Sequence, residues 1–221
     1  MLTWETEKML IPRSLFLPEG YPRMFTARRF MSALVLCALL LPLTALALME
    51  PKTETEYPDA ITVNGQDLVI TGVALREKTF LKVDVYTIAS YVKKGAVLGE
   101  NKAQDILELE EPKLLQMDVT RGFSNEKLKK AFSEVIDKNY DDKSAFQGAM
   151  DEFLGYFTAD AQEGDRLIFG FCPAEGLKVV LNDEELGMID NPAFMKALWT
   201  VWFGKKPADK KMRENLTAAY R

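Results

Sequence analysis

The spacing of apolar and polar residues predicts a series of short strands along the second half of the chain. Two alternating runs, residues 60–63 and 67–71, flank Asn64-Gly65, the favoured two-residue turn of a β-hairpin. A β-branched and aromatic run at residues 79–92 is the strongest strand signal. Similar alternation predicts further strands at residues 113–120, 164–172, 177–181 and 186–189.

Helical periodicity accounts for most of the remaining apolar residues. Ser124 is a suitable N-cap for a helix to residue 137, with an inward face of Leu128, Ala131, Phe132 and Val135. A second helix from residue 143 carries a stripe of Phe146, Met150, Phe153 and Phe157. This stripe favours core packing; the alternative is that part of it lines an apolar ligand cleft. Shorter helices are predicted at residues 100–111, 192–204 and 208–216, and Asn191 caps the second of them with Pro192 at its first position.

The order of these elements predicts an α+β fold. Strands come first, two helices follow, then a β-meander, then helices again. We therefore expect a large, mostly antiparallel sheet with helices packed on one side.

The first 47 residues have the pattern of an export signal. Arg28-Arg29 precede an apolar run that ends in Ala45-x-Ala47, which predicts a signal peptide at residues 24–47 with cleavage just after Ala47. A retained membrane anchor is the alternative. Residues 1–23 resemble an over-called translation start, residues 48–59 a flexible lead-in, and residues 60–221 the folded domain.

Composition excludes several classes of chemistry. The chain contains no histidine, which rules out Ser-His-Asp, Cys-His and His-metal mechanisms. Cys37 and Cys172 are not at metal-ligand spacing, and we expect Cys172 to be a small buried apolar side chain. The net charge of −5, without a long basic run in the body, argues against nucleic acid as a partner. We predict no cofactor, no metal site and no catalytic residue.

Arg76 is the candidate for anion binding. It is expected at a turn directly before the strand of residues 79–92, and Tyr86 lies ten residues further on. By default an arginine beside Glu77 and Lys78 is solvated surface. Strand alternation puts Tyr86 opposite the face of Val83, Val85 and Ala89, which we expect to be core, so Tyr86 would face a polar-mouthed cleft or solvent.

Three segments together resemble the chalcone isomerase-like family in its bacterial, secreted branch. They are residues 72–92 with Arg76 and Tyr86, residues 153–165, and residues 191–207. The resemblance covers roughly residues 57–216. It implies an open-faced β-sandwich in which a large sheet and helices enclose an apolar cleft, and an exported, periplasmic location.

The resemblance also implies what the site holds. In the plant enzymes an arginine and a strand hydroxyl act on the substrate, and Arg76 and Tyr86 match those positions; Lys127, Glu134 and Met195 depart from the enzyme pattern. Arg76 with Tyr86 instead resembles the non-catalytic relatives that hold a fatty-acid carboxylate. We therefore predict a binder of a fatty acid or similar apolar anion. The alternatives are a chalcone isomerase-type intramolecular lyase and a structural or interaction protein with a closed cleft; the oligomeric state stays open.

Overall fold

The computed structural model describes residues 47–78 and 83–220. Within these residues nine strands form two sheets, and five helices accompany them. The strands are β1 (Ala47–Glu50), β2 (Thr55–Pro58), β3 (Ala60–Val63), β4 (Gln66–Lys78), β5 (Val83–Lys93), β6 (Lys113–Val119), β7 (Arg166–Cys172), β8 (Gly176–Leu181) and β9 (Glu184–Ile189). The helices are α1 (Lys102–Glu108), α2 (Asn125–Asn139), α3 (Gln147–Gly155), α4 (Pro192–Phe203) and α5 (Lys210–Asn215).

Strands β3 to β9 form one sheet in chain order, and every neighbouring pair is antiparallel. The β3–β4 hairpin turns at Asn64 and Gly65, which both have positive φ values (50° and 73°). This is the backbone that a type I′ turn requires and that Asn-Gly adopts readily. The predicted hairpin is therefore confirmed, as is the α+β class with helices on one side of an antiparallel sheet.

Side-chain caps explain where the helices begin. Ser124 accepts a hydrogen bond from the Lys127 amide at the start of α2, and Asn191 accepts one from the Phe194 amide at the start of α4. Asp209 does the same for α5, accepting from the amide of Met212. Each cap satisfies a backbone N–H that has no partner inside its helix.

The main core lies between the sheet and the helices. Phe153, Phe169, Trp199 and Trp202 are almost completely buried there. The predicted stripe of Phe146, Met150, Phe153 and Phe157 is buried in this core, as core packing requires. Of the residues predicted to face inward from α2, Leu128, Phe132 and Val135 are buried, but Ala131 is exposed because Ile136 lies on the inner face instead.

A smaller core covers the opposite face of the sheet. Residues 48–59, expected to be a flexible lead-in, contain the β1–β2 hairpin in the structure. Its Tyr57 is fully buried against Leu68, Ala89 and Tyr91, and its hydroxyl lies 2.7 Å from that of Thr87. A second apolar layer therefore replaces solvent over part of the outer face.

An irregularity in β4 decides which side chains face the helices. The register shifts between Ile70 and Gly72, so Ile70 faces the smaller core while Ala74, four residues on, faces the main core. Gly72 lies where a Cβ atom would come within 2.1 Å of the Asn215 carbonyl oxygen. Only glycine permits the C-terminal segment to approach β4 this closely.

Cys172 is free and partly exposed rather than buried, because it lies on the outer face of β7 with Ile168 and Gly170. The predicted signal peptide, together with residues 1–23 and Cys37, lies outside the described residues, apart from Ala47 itself. Residues 79–82, predicted to begin the long strand, also lie outside them.

Candidate functional site

Arg76 lies inside strand β4, not at a turn. The strand continues to Lys78, which pairs with Val83, so the expected boundary at Arg76 is wrong. Arg76 is the direct cross-strand partner of Tyr86 in β5. Opposed residues on one face of an antiparallel pair have Cβ atoms about 5 Å apart, so the fold brings the two predicted site residues side by side.

The pair lies on the helix-facing side of the sheet. Tyr86 packs against the main core, on the same face as Ile88. Tyr86 does lie opposite the face of Val83, Val85 and Ala89, and Ala89 is buried in the smaller core as expected. The expectation that Tyr86 faces solvent or a polar-mouthed cleft is wrong, because it meets the main core. Both faces of β5 are covered, and alternation alone cannot say which layer a residue joins.

The Arg76 guanidinium contacts a carboxylate of the same chain. Its Nη1 donates to Oδ2 of Asp209 at 3.2 Å, and the two side chains are 27% and 34% exposed. The other oxygen of Asp209 accepts from the Met212 amide at 3.1 Å, as the cap of α5. Among the described residues no second acceptor lies on this guanidinium, so most of its fork of N–H donors is uncommitted.

The Tyr86 hydroxyl accepts a hydrogen bond from Nε1 of Trp202 at 3.3 Å. Burial raises the pKa of Tyr86, and the Trp202 bond and the charge of Arg76 only partly oppose that rise. The phenol therefore keeps its proton at neutral pH. Because Trp202 is the donor, the Tyr86 O–H has no acceptor among the described residues and can donate to a ligand beside Arg76.

Aromatic side chains fill the core behind this pair. The Trp202 ring centroid lies 5.8 Å from that of Phe169 and 6.1 Å from that of Phe132. Two cavities lie elsewhere: a groove of about 900 Å³ beside Leu48, Ile70 and Tyr220, and a smaller one of about 180 Å³ beside Leu114. Neither is lined by Arg76 or Tyr86.

The three positions that depart from the enzyme pattern differ from one another in burial. Lys127 and Glu134 are exposed on the outer side of α2, whereas Met195 is 4% exposed in the core. The structure instead adds Asp209 and Trp202 to the pair. Trp202 lies in the helix predicted at residues 192–204, and Asp209 lies at the start of the one predicted at residues 208–216; neither position carries a sequence signal for this site.

Other kinds of site are not found in the described part of the chain. No group of three or more carboxylate or thiol side chains there could hold a metal ion. None of its helices is both long and apolar enough to cross a membrane.

A seven-stranded antiparallel sheet with helices on one face, and an arginine–tyrosine pair directed at those helices, defines a protein of chalcone isomerase type. The sequence model of the chalcone isomerase-like family matches residues 51–217, so the chain belongs to this family. A crystal structure of a fatty-acid binding protein of Arabidopsis thaliana has the same fold. It matches with a TM-score of 0.64 and 19% identity over 78% of this chain and 96% of that one. No curated protein sequence matches the chain.

Proposed function

We propose that this protein binds a fatty acid or a similar apolar anion without transforming it. Arg76 and Tyr86 would hold the carboxylate, and the apolar side chains between the sheet and the helices would contact the tail. The observation that carries the proposal is the Arg76–Asp209 contact, because a guanidinium beside the core already holds a carboxylate there. The Arabidopsis protein of the same fold is a fatty-acid binding protein, which adds support at the level of the family.

The chemistry of the pair suits this ligand. A guanidinium presents parallel N–H groups that match both oxygens of a carboxylate, and charge-assisted bonds of this type are stronger than neutral ones. The protonated Tyr86 hydroxyl supplies one further donor. Each buried CH₂ of the tail would contribute about 0.8 kcal/mol.

The acyl tail of such a ligand would need space that core side chains occupy in this structure. Trp202 fills the core next to Tyr86, and its ring packs against Phe132 and Phe169. Binding would therefore require Trp202 to turn away from Tyr86, so that the ring and the ligand exchange places. Protein fluorescence should report this movement, since Trp199 and Trp202 are the tryptophans of the described domain.

The same packing favours a second candidate function. If the aromatic cluster does not open, the protein is a structural or interaction module whose cleft is filled by its own side chains. In that case the Arg76–Asp209 ion pair only fastens α5 to the sheet. The two functions differ in whether the purified protein takes up an acyl chain.

Displacement of a fluorescent fatty acid by dodecanoate tests the proposal. The wild-type protein should bind, and Arg76→Ala should weaken binding by about 1.5–3 kcal/mol, roughly 10- to 100-fold. Arg166→Ala is the matched control, because Arg166 also pairs with a carboxylate on the sheet, that of Asp118, but on the outer face. Native mass spectrometry of protein purified from cells should show a retained lipid. Absence of lipid together with no displacement would leave the closed module as the function.

We also propose that the protein is exported to the periplasm. The support is the pattern of residues 24–47: two arginines, an apolar run and an Ala-x-Ala end. Cleavage after Ala47 would leave Leu48 as the first residue, and three of the four β1–β2 residue pairs would persist. N-terminal sequencing of the periplasmic protein should begin at Leu48; an intact leader in the membrane fraction would show an anchor instead.

A further inference from the structure

Asp209 contacts one nitrogen of the Arg76 guanidinium and neutralises the charge that a ligand carboxylate would use. The contact is single: one oxygen of Asp209 meets one nitrogen of Arg76 at 3.2 Å, while the other oxygen caps α5 through Met212. A free carboxylate has no second duty and can present both oxygens to the guanidinium. The forked arrangement is the stronger one, so a ligand has an energetic reason to replace Asp209.

Residues 209–220, which we call the C-terminal strap, cross β4 and are held at both ends. At one end stands the partly exposed Arg76–Asp209 pair. At the other end Thr71 donates through its hydroxyl to the Leu216 carbonyl oxygen at 2.7 Å, and its own carbonyl accepts from the Ala219 amide at 2.9 Å.

The two ends of the strap differ in strength. Thr71 and Leu216 are completely buried, and the strap backbone lies directly on Gly72. The Arg76–Asp209 pair is a partly solvated ion pair, a class of contact that contributes about 1 kcal/mol or less. The end at Asp209 is therefore the one that can release, up to Met212, which is 2% exposed in the main core, while the end at Thr71 holds.

We propose that the C-terminal strap is a competitive latch on the anion site. This inference rests on the proposed function. The ligand carboxylate takes over Arg76, Asp209 moves away because two carboxylates on one guanidinium repel each other, and the strap lifts at its Asp209 end. Thr71 and Gly72 act as the fixed end.

The preference of the site for anions comes from Arg76. A fatty alcohol has the same tail but offers Arg76 no charge in place of the Asp209 carboxylate, whereas a fatty acid does. Displacing Asp209 costs the same for either ligand, so the latch sets how tightly the site binds and not which head group it prefers.

Asp209→Asn tests the latch without disturbing the helix start, because asparagine caps helices as well as aspartate. In the displacement assay, dodecanoate should bind Asp209→Asn roughly fivefold more tightly than wild type, since the competing ion pair is lost. Dodecanol should gain no more than dodecanoate in this variant, because the loss of the Asp209 carboxylate relieves both ligands of the same cost. Glu214→Gln, an exposed carboxylate of the same helix, controls for net charge and should bind like wild type.

The outcomes distinguish a failure of the latch from a failure of the proposed function. If Arg76→Ala loses dodecanoate but Asp209→Asn binds it no better than wild type, the function stands and the latch is refuted. If Arg76→Ala binds as wild type, or if no variant binds, both are refuted. Tighter binding by Asp209→Asn but equally by Glu214→Gln would be a net-charge effect and would also refute the latch.

Amide hydrogen exchange gives an independent measurement on the wild-type protein. Dodecanoate should speed exchange of the Met212 amide several-fold, because the Asp209 cap moves, while the Ala219 amide at the fixed end stays protected. Unchanged Met212 exchange at saturating dodecanoate would refute the lifting of the strap.

Discussion

Lys113 should make the stability of the protein depend on pH, because only 1% of its surface is exposed. Its ammonium donates to the carbonyl oxygens of Ile106 at 2.7 Å and Leu107 at 3.2 Å, in the last turn of α1. The rings of Trp199 and Phe171 lie 5.3 and 5.8 Å away. These contacts favour the charged form. Loss of water opposes them and lowers the pKa of Lys113 to about 7, helped by the charge of Lys196.

The sign of the pH effect follows from which state, folded or unfolded, binds more protons at a given pH. Between pH 7 and 10.5 the unfolded chain has Lys113 protonated and the folded chain releases that proton, so the free energy of unfolding rises with pH. From pH 7 to 9.5 the gain is about 3 kcal/mol. Above pH 10 the buried Tyr57 and Tyr91, whose pKa values burial raises, begin to reverse the trend. The useful window therefore ends at pH 9.5.

Urea unfolding at several pH values within this window is the assay. With a slope of about 2 kcal/mol per molar, the wild-type midpoint should rise by about 1.5 M from pH 7 to 9.5. Lys113→Met should remove this rise. At pH 9.5 the variant should also be about 1–3 kcal/mol less stable, because two buried carbonyl groups lose their donor.

The control is Lys178→Met, which removes a partly exposed lysine paired with Glu185 on the next strand and should keep the wild-type slope. Parallel pH profiles for wild type and Lys113→Met would refute the reasoning. They would mean that the carbonyl oxygens and the aromatic rings fully compensate the ammonium for its lost water.

Two glycine substitutions provide the remaining predictions. Gly72→Ala should cost about 3 kcal/mol in urea unfolding and speed exchange of the Ala219 amide, because its Cβ would meet the Asn215 backbone, which cannot move alone. An unchanged midpoint would show that the strap is not pressed against β4. Gly187→Ala should cost only about 1 kcal/mol, since its Cβ meets the end of the Tyr156 side chain, which can swing out. Gly187→Ala should cost no stability in a protein that already carries Tyr156→Ala. A loss of stability in that background would mean that the strain lies in the backbone of β9.

Local signals predicted most of the fold. Asn64-Gly65 specified its hairpin, and Ser124 and Asn191 marked helix starts, because these features depend on neighbouring residues alone. The outer layer was not foreseen: a four-residue strand such as β1 has too few positions to show a period. The register shift after Ile70 could not be predicted from the sequence either, and it changes which side chains of β4 face the helices.

The candidate site was predicted only in part for a similar reason. Arg76 and Tyr86 lie on adjacent strands, so pattern and family resemblance could suggest them together. Asp209 and Trp202 reach the site from residues more than a hundred positions away, through packing that no local pattern encodes. The counterion of Arg76 can therefore be identified only from the three-dimensional structure.

The contact between Thr71 and Leu216 spans 145 positions of the chain. During synthesis β4 emerges early, yet the surface around Gly72 stays uncovered until residues 215–219 have been made. The entropy of closing so long a loop must be overcome before this contact stabilises anything. A chain that has not yet reached these residues therefore remains open along the strand that carries Arg76.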